Sequence, residues 1–302
     1  MRRKRRARVG SHKPIRKLRI ALVGAGNWSS VLAASLQDAG YAIDLLVTRD
    51  RADSRRRSNT LARKLHASTV VFSQAQVHSD VVWFCVPDGA ISSAAARLPR
   101  SIEWTGKIAL HSSGALTSDE LGALRRRGAA VASVHPLMTF VQRSAAGHDL
   151  PSLEGVPFAV EGDREAVRVA RQIVSNLGGS PFIIRKRDKP LYHAWGMFLS
   201  PLLTALLAAS ENVAVAAGIQ RSTARKRMLP IVRQTLVNYA AAGPSGSFSG
   251  PLARGDVETV EKHLKVLQRV PGATEIYLAL AKAALRNLPA RNRRQLNQIL
   301  RR

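Results

Sequence analysis

Cysteine is nearly missing from this chain: its 302 residues include one, Cys85, so no internal disulfide can form and a reducing cytoplasm is the expected setting. Placed in an apolar strand, that thiol reads as an inert core group. Aromatic side chains are 5% of the residues, which leaves no basic platform interleaved with stacking rings and argues against a dedicated nucleic-acid reader. Acid is scarce as well, 20 Asp and Glu against 47 Lys and Arg, for a formal charge of +27. Ten basic residues and no acid fall in residues 1–19, yet 37 minus 20 still leaves +17 elsewhere, so the excess is general. Such a surface steers anionic ligands, and it makes non-specific nucleic-acid contact through the basic tails an expected side activity.

Long apolar runs are lacking too. Residues 194–210 are apolar almost all round, but seventeen residues interrupted by Pro201 and followed by Glu211 make a poor membrane span; a buried helix is expected, and no membrane partner. Behind the basic start no separate apolar segment stands, so no export signal is expected. No internal repeat is found, and the candidate-site histidines lack the close pairing in sequence that a metal site would need.

What is present is organised around residues 18–41. An apolar run, Ile20 to Val23, breaks into Gly24-Ala25-Gly26-Asn27-Trp28-Ser29 and resumes at helical spacing through Val31, Leu32 and Leu36. The pattern predicts strand, tight turn and helix. Its first glycine allows the sharp turn, its second allows a pyrophosphate to approach the backbone, and the helix N-terminus favours the negative charge. Ser29 takes the third position, where Gly or Ala is usual, and is small enough to let helix and strand pack. A second strand over 42–47 ends about twenty residues past this point, as a dinucleotide motif requires.

At the end of that strand an NAD site places an acid to hold the ribose hydroxyls. Here the chain reads Val47-Thr48-Arg49-Asp50-Arg51, with Arg55, Arg56 and Arg57 following. Arginine pairs a 2′-phosphate bidentately, so NADP is the expected cofactor with Arg49 leading, although a shift of one residue to Asp50 would restore an acid. At least two of the later arginines read as a solvated helix face.

Further on, a helix is predicted over 54–65 and a strand over 68–72. Residues 80–88 read as a fully buried parallel strand whose end, Val86-Pro87-Asp88, lies at the ligand edge of a sheet. Strands over 107–111, 129–134, 156–161 and 181–184 follow. Helices are predicted over 117–127, with a Thr117–Glu120 capping box, and over 164–177. Residues 142–153 read as a polar loop. From about 186 the period becomes helical throughout, with helices over 221–242, 256–268, 273–287 and 290–300. The expected fold is α/β: a doubly wound, mostly parallel Rossmann sheet in residues 19–185, preceded by a basic tail at 1–18 and followed by an all-helical domain at 186–302 for substrate binding and dimerisation.

Reduction of a carbonyl or imine requires the protein to place substrate against a nicotinamide and supply a proton. Candidates for that chemistry are His135, at a strand end before Pro136, and Tyr192-His193, opening the helical domain. Ser112 follows His111, itself read as holding adjacent backbone. Arg254, in a loop fixed by Gly250, Pro251 and Gly255, is the candidate anchor for a substrate carboxylate; Asp256 reads as the cap of the next helix. The cofactor set is Gly24, Gly26, Asn27, Trp28, Ser29, Arg49, Val86, Pro87 and Asp88.

Six motifs in order, GAGNWSS, DVVWFCVPD, HSSGALTSDEL, SVHPLMTF, KPLYHAW and GPLARGD, resemble a bacterial family with a Rossmann-like N-terminal half and a helical C-terminal half of unknown function. That family is similar in architecture to pyrroline-5-carboxylate reductase, and more distantly to ketopantoate reductase and the 6-phosphogluconate dehydrogenase group. The resemblance spans about residues 18–287. It implies an NADP-dependent oxidoreductase that exchanges a hydride with a small anionic carbonyl or imine in an interdomain cleft, and a homodimer formed through the helical domain. Two departures stand out: Ser200-Pro201 replaces the Ser-Asn of many relatives, and the lysine of the hydroxyacid dehydrogenases has no clear counterpart. Both favour the alternative of a non-catalytic NADP-binding sensor or scaffold.

Overall fold

The computed structural model describes residues 17–141 and 150–301. The basic arm at 1–16 and the stretch 142–149 of the expected polar loop lie outside them. Among the described residues the first half alternates strand and helix: β1 Arg19–Val23, α1 Asn27–Asp38, β2 Ala42–Thr48, α2 Ala52–Leu65, β3 Ser68–Val71, β4 Val81–Phe84, α3 Ile91–Ala96, β5 Ile108–His111 and α4 Gly122–Arg125. There follow β6 Ala130–Pro136, β7 Pro157–Gly162, α5 Arg164–Asn176 and β8 Ser180–Ile183.

These strands form one sheet in the order β3-β2-β1-β4-β5-β6-β7-β8. All neighbours are parallel except β6 and β7, where His135 stands opposite Ala159 in an antiparallel pair. This is the doubly wound, mostly parallel fold that the motif pattern predicts. The strands are apolar on both sides because both sides are covered. Ile20 and Leu22 point into one core with Trp83, Leu110 and Phe158, while Ala21 and Val23 point into the other with Phe84, Trp104 and Val131. Trp83 and Phe84, adjacent in sequence and both fully buried, therefore stabilise opposite faces; truncating Phe84 to Ala should cost about 3–5 kcal/mol.

The parallel order puts the carboxyl ends of β1, β2, β4, β5 and β6 along one edge, with β1 between β2 and β4 at the point where the winding reverses. Ligands of such sheets bind at that edge.

The second half is helical: α6 Lys189–Leu199, α7 Pro201–Ala216, α8 Arg221–Ser247, α9 Pro251–Arg254, α10 Val257–Leu267, α11 Ala273–Asn287 and α12 Arg293–Ile299. Two compact units result, one through Gly196 and one from Met197, so the head of α6 belongs with the sheet. The second unit has a small core around Val260, Ala281, Leu285 and Leu296. Asp256 caps α10, accepting from the Thr259 amide at 3.2 Å.

Three expectations need correction. The stretch 117–127 is a 3₁₀ turn, Ser118–Leu121, followed by the short α4; Thr117 accepts from the Asp119 amide rather than sharing a box with Glu120, because the turn is too tight for the helical i,i+3 geometry. Residues 194–210 are not one helix, since Ser200 leaves helical geometry before Pro201. Nor are they buried: Trp195 is 51% and Phe198 70% exposed. Apolar character all round a helix demands a cover, and the described residues do not provide it. With the turn before it, the stretch Lys186–Ala216 is long and apolar enough to cross a membrane by length and composition alone. It nevertheless carries Lys189 and Glu211, both buried within the fold.

Candidate cofactor and active site

The first turn has the geometry its glycines predict. Gly24 adopts φ +98°, and a Cβ there would lie 2.8 Å from the Cys85 carbonyl oxygen, so a side chain is excluded twice over. A Cβ on Gly26 would meet nothing within 4 Å, which leaves backbone open to a ligand at the head of α1. Ser29 is fully buried and its hydroxyl donates to the Gly26 carbonyl at 2.9 Å, closing the turn from below.

Beside this turn lies a cavity of 240 Å³ walled by Gly24, Gly26, Thr48, Arg49, Arg57, Ser58, Val86 and Pro87. On its far side the Arg97 guanidinium stands over the Phe72 ring at 5.1 Å. Asp50 pairs with Arg55 at 2.5 Å and does not line the cavity. Arg56 pairs with Asp53 on the helix surface. Arg49, Arg57 and Arg97 are therefore the cavity cations, and the Ser58 hydroxyl is buried without a hydrogen-bond partner. An unpaired buried hydroxyl is costly, so it marks a place for a polar ligand or water.

The other residues of the expected cofactor set lie outside this cavity. Asn27 donates to the Phe140 carbonyl at 3.2 Å. The Trp28 ring rests against Phe140 and Phe158, and its indole N–H donates to Ser112 Oγ at 2.8 Å. Trp83 donates to the same oxygen at 2.8 Å, so both lone pairs of Ser112 are engaged in fixing two indoles. Asp88 accepts from the Ser113 hydroxyl at 2.7 Å, tying the end of β4 to the end of β5. Burial pushes the Cys85 thiol up, which keeps it unreactive.

At the ends of β5 and β6 a second group of side chains converges. His111 is fully buried, accepts from the Ser113 amide at Nδ1 and bonds the Thr117 carbonyl through Nε2; burial drives it down to about 4, so it is neutral and structural. His135 faces Tyr192, whose hydroxyl lies 2.9 Å from Nδ1, and a Cβ on Gly114 would sit 2.7 Å from both His135 Nε2 and His193 Cδ2. Gly114 thus makes room for two imidazoles, whose centroids are 6.2 Å apart.

Burial, then the charge of Lys189, pushes His135 down to about 3. Burial thus favours its neutral form, which can donate a hydrogen bond. Burial lifts Tyr192 to about 12, so its phenol keeps its proton; the hydroxyl also donates to the His135 carbonyl at 3.5 Å, and the tautomer of the neutral imidazole sets which partner donates at Nδ1.

A functional group that the motif analysis missed sits beneath. Lys189, the first residue of α6, is fully buried; its Nζ donates to the Ser113 carbonyl at 3.0 Å and to Ser133 Oγ at 2.7 Å. Burial lowers it to about 8, against the pull of Glu161 and Asp88. A lysine thus stands in this cluster, supplied by the head of α6 rather than by a strand end. One signal was available, for no Lys or Arg occurs from Pro190 to Gln220 in a chain with 47 of them, and Lys189 opens that stretch. Arg254 is exposed at the end of α9 in the second unit, where His263 pairs with the Tyr277 hydroxyl at 3.2 Å. No cluster of metal-ligating side chains exists among the described residues.

A dinucleotide-type turn, a cationic cavity at the reversal of the winding and a proton-handling cluster on the next two strands define a nucleotide-binding α/β fold. Residues 6–136 match the model of a Rossmann-like domain, and residues 156–284 match a domain of unknown function, DUF2520. The chain is a Rossmann-like domain followed by a DUF2520 domain, and the second match begins inside the sheet, at the approach to β7. No curated protein sequence matches it. Among solved structures it is similar to a candidate NADP oxidoreductase from Bacteroides fragilis, with 19% identity, a TM-score of 0.72, and 88% of this chain and 97% of that one covered. It is also similar to an imine reductase from Pseudomonas sp., with 22% identity, a TM-score of 0.62, and 89% and 93% covered. A pyrroline-5-carboxylate reductase from Coxiella burnetii shares 15% identity, a TM-score of 0.56, and 89% and 96% coverage. At these identities the likeness is one of fold.

Proposed function

We propose that this chain is an NADP-dependent oxidoreductase that exchanges a hydride with a small carbonyl substrate. The observation that carries the reading is the placement, on one edge of one sheet, of the Arg49–Arg57 cavity and the Gly114–His135–Tyr192–Lys189 cluster. The residues present fit a dinucleotide: open backbone at Gly26, three cations without an acid in the cavity wall, and the orphan hydroxyl of Ser58. Gly24, Gly26, Arg49 and Arg57 would hold it, with the two arginines selecting a 2′-phosphate.

When bound, such a cofactor supplies or removes a hydride. The chain's own groups then divide the remaining tasks. With the Tyr192 hydroxyl donating to Nδ1, His135 Nε2–H donates to the substrate oxygen. Lys189, lowered to about 8, is a group able to release a proton near neutral pH, whereas burial keeps His135 neutral and Tyr192 protonated. A buried ammonium opposes a second cation nearby, so the charge arrangement favours a carbonyl, which gains negative charge, over a protonated imine. The lone, half-buried Cys85 fits a cytoplasmic enzyme, and the exposed apolar side chains of α6 to α8 support a homodimer.

Fluorescence titration and a substrate panel test this. NADPH should bind more tightly than NADH, and Arg49→Ala with Arg57→Ala should weaken NADPH by roughly 10–100-fold while sparing NADH. With 2-keto acids, reduction should fall as pH rises through about 8, where Lys189 loses its proton. Equal affinity for both cofactors would remove the NADP assignment, and turnover of cyclic imines alone would remove the carbonyl.

A further inference from the structure

Away from this site, the outer edge of the sheet carries a groove of 810 Å³ between α5 and the end of β8. Its floor is apolar, from Val167, Ile183 and Ile184. Along one wall stand Arg164, Arg168 and Arg171, which at i, i+4 and i+7 share a face of α5 and span about 10 Å. All three are exposed, and among the described residues no carboxylate lies in ion-pair reach of them. The acids nearby are committed elsewhere. Glu161, which lines the groove with Lys186, is buried and accepts from the Ser118 amide and hydroxyl at 2.6 and 2.9 Å; Asp119 is shared by Lys186 and Arg125, and Asp163 accepts from Arg125 at 3.0 Å. Glu165 is exposed at the head of the helix but belongs to neither ion pairs nor groove.

A row of like charges on adjacent turns opposes its own helix. A partner that neutralises it must present several anions in line, since three guanidinium groups spread over about 10 Å exceed the reach of one phosphate. It must also enter a concave groove, which a flat bilayer does not. We infer that the α5–β8 groove binds the phosphodiester backbone of nucleic acid, independently of base sequence and of the redox site. The +17 charge that remains outside residues 1–19 would draw such a polyanion in from a distance.

The test uses the full chain and a fluorescein-labelled duplex of roughly 20 base pairs, with anisotropy read across ~50–200 mM salt. Arg164→Glu, Arg168→Glu and Arg171→Glu together are compared with Lys226→Glu, Arg227→Glu and Arg233→Glu, an equal charge change on exposed positions of α8. The groove variant should lose at least ~10-fold in affinity and flatten the slope of log K against log salt by about 3, while the α8 variant loses far less. Equal losses in both variants would overturn the proposal in favour of net charge alone. Duplex binding that persists while binding to phosphatidylserine vesicles is lost would overturn it in favour of a membrane. If circular dichroism shows the glutamate variant unfolded, the corresponding Arg→Gln triple carries the same comparison.

Discussion

The sheet unit and the helical unit solve the burial problem differently. Every residue of β4 is fully buried, as are Leu22, Leu32, Leu110 and Phe158, so the first half completes a two-sided core from its own sequence. In the second half Leu202, Ile231, Leu236, Val237 and Tyr239 are 46–69% exposed, while Glu211 is buried and paired bidentately with Arg225 at 2.8 and 3.0 Å. A parallel sheet must be covered by the helices that connect it, so its core is local. Helices α7 and α8 follow no such rule, and among the described residues they keep apolar side chains exposed. Chemistry follows stability: the unit that is self-sufficient holds both the cationic cavity and the Lys189 cluster.

This contrast can be broken most forcefully at the helices. Ile231→Glu with Val237→Glu should dissociate the proposed dimer, with a rise in Kd of ~100-fold or more, worth about 3 kcal/mol, read by light scattering. A wild-type chain that is monomeric at micromolar concentration would remove the dimer outright. In the sheet unit, Gly24→Ala forces an L side chain to φ +98° and against the Cys85 carbonyl. It should lower stability by ~2–3 kcal/mol in urea melts.

Smaller and opposite in sign is the effect of Lys189→Met. The folded value of Lys189 lies below its unfolded one, so the charged group weakens the fold fully below pH 8 and ceases to do so as pH rises toward about 10.5. The variant should gain ~1–2 kcal/mol at pH 7 and lose turnover, and its advantage should shrink between those two pH values. Gly26→Ala should change stability least, within ~0.5 kcal/mol, because nothing lies near the new methyl. It should nonetheless abolish NADPH binding, which separates a glycine needed by the ligand from Gly24, needed by the fold.

Much of the sheet was legible because its signals are local. Gly24 and Gly26 between an apolar strand and a helix, and the unbroken run Val81 to Phe84, are decided within a few residues of chain. The same local logic misread Thr117, whose spacing to Glu120 matches a capping box while the chain folds into a 3₁₀ turn. It also misread residues 194–210, where continuous apolarity speaks equally for burial in the chain and for burial against another. Arg57 could not be told from Arg55 and Arg56 by sequence, since which of three adjacent arginines meets an acid depends on the pitch of α2 over β2.

The sequence by itself determined the winding of the sheet, the nucleotide-type turn and the helical second half, because periodicity and glycine placement act over neighbouring residues. Only the tertiary structure decided which groups carry charge and protons. It buried Lys189 against Ser113 and Ser133, 76 and 56 residues away in the chain, and it desolvated His135 so that the neutral imidazole is favoured. Solvation and field at a side chain are set by whatever the fold brings beside it, and that is not written in the residues next to it.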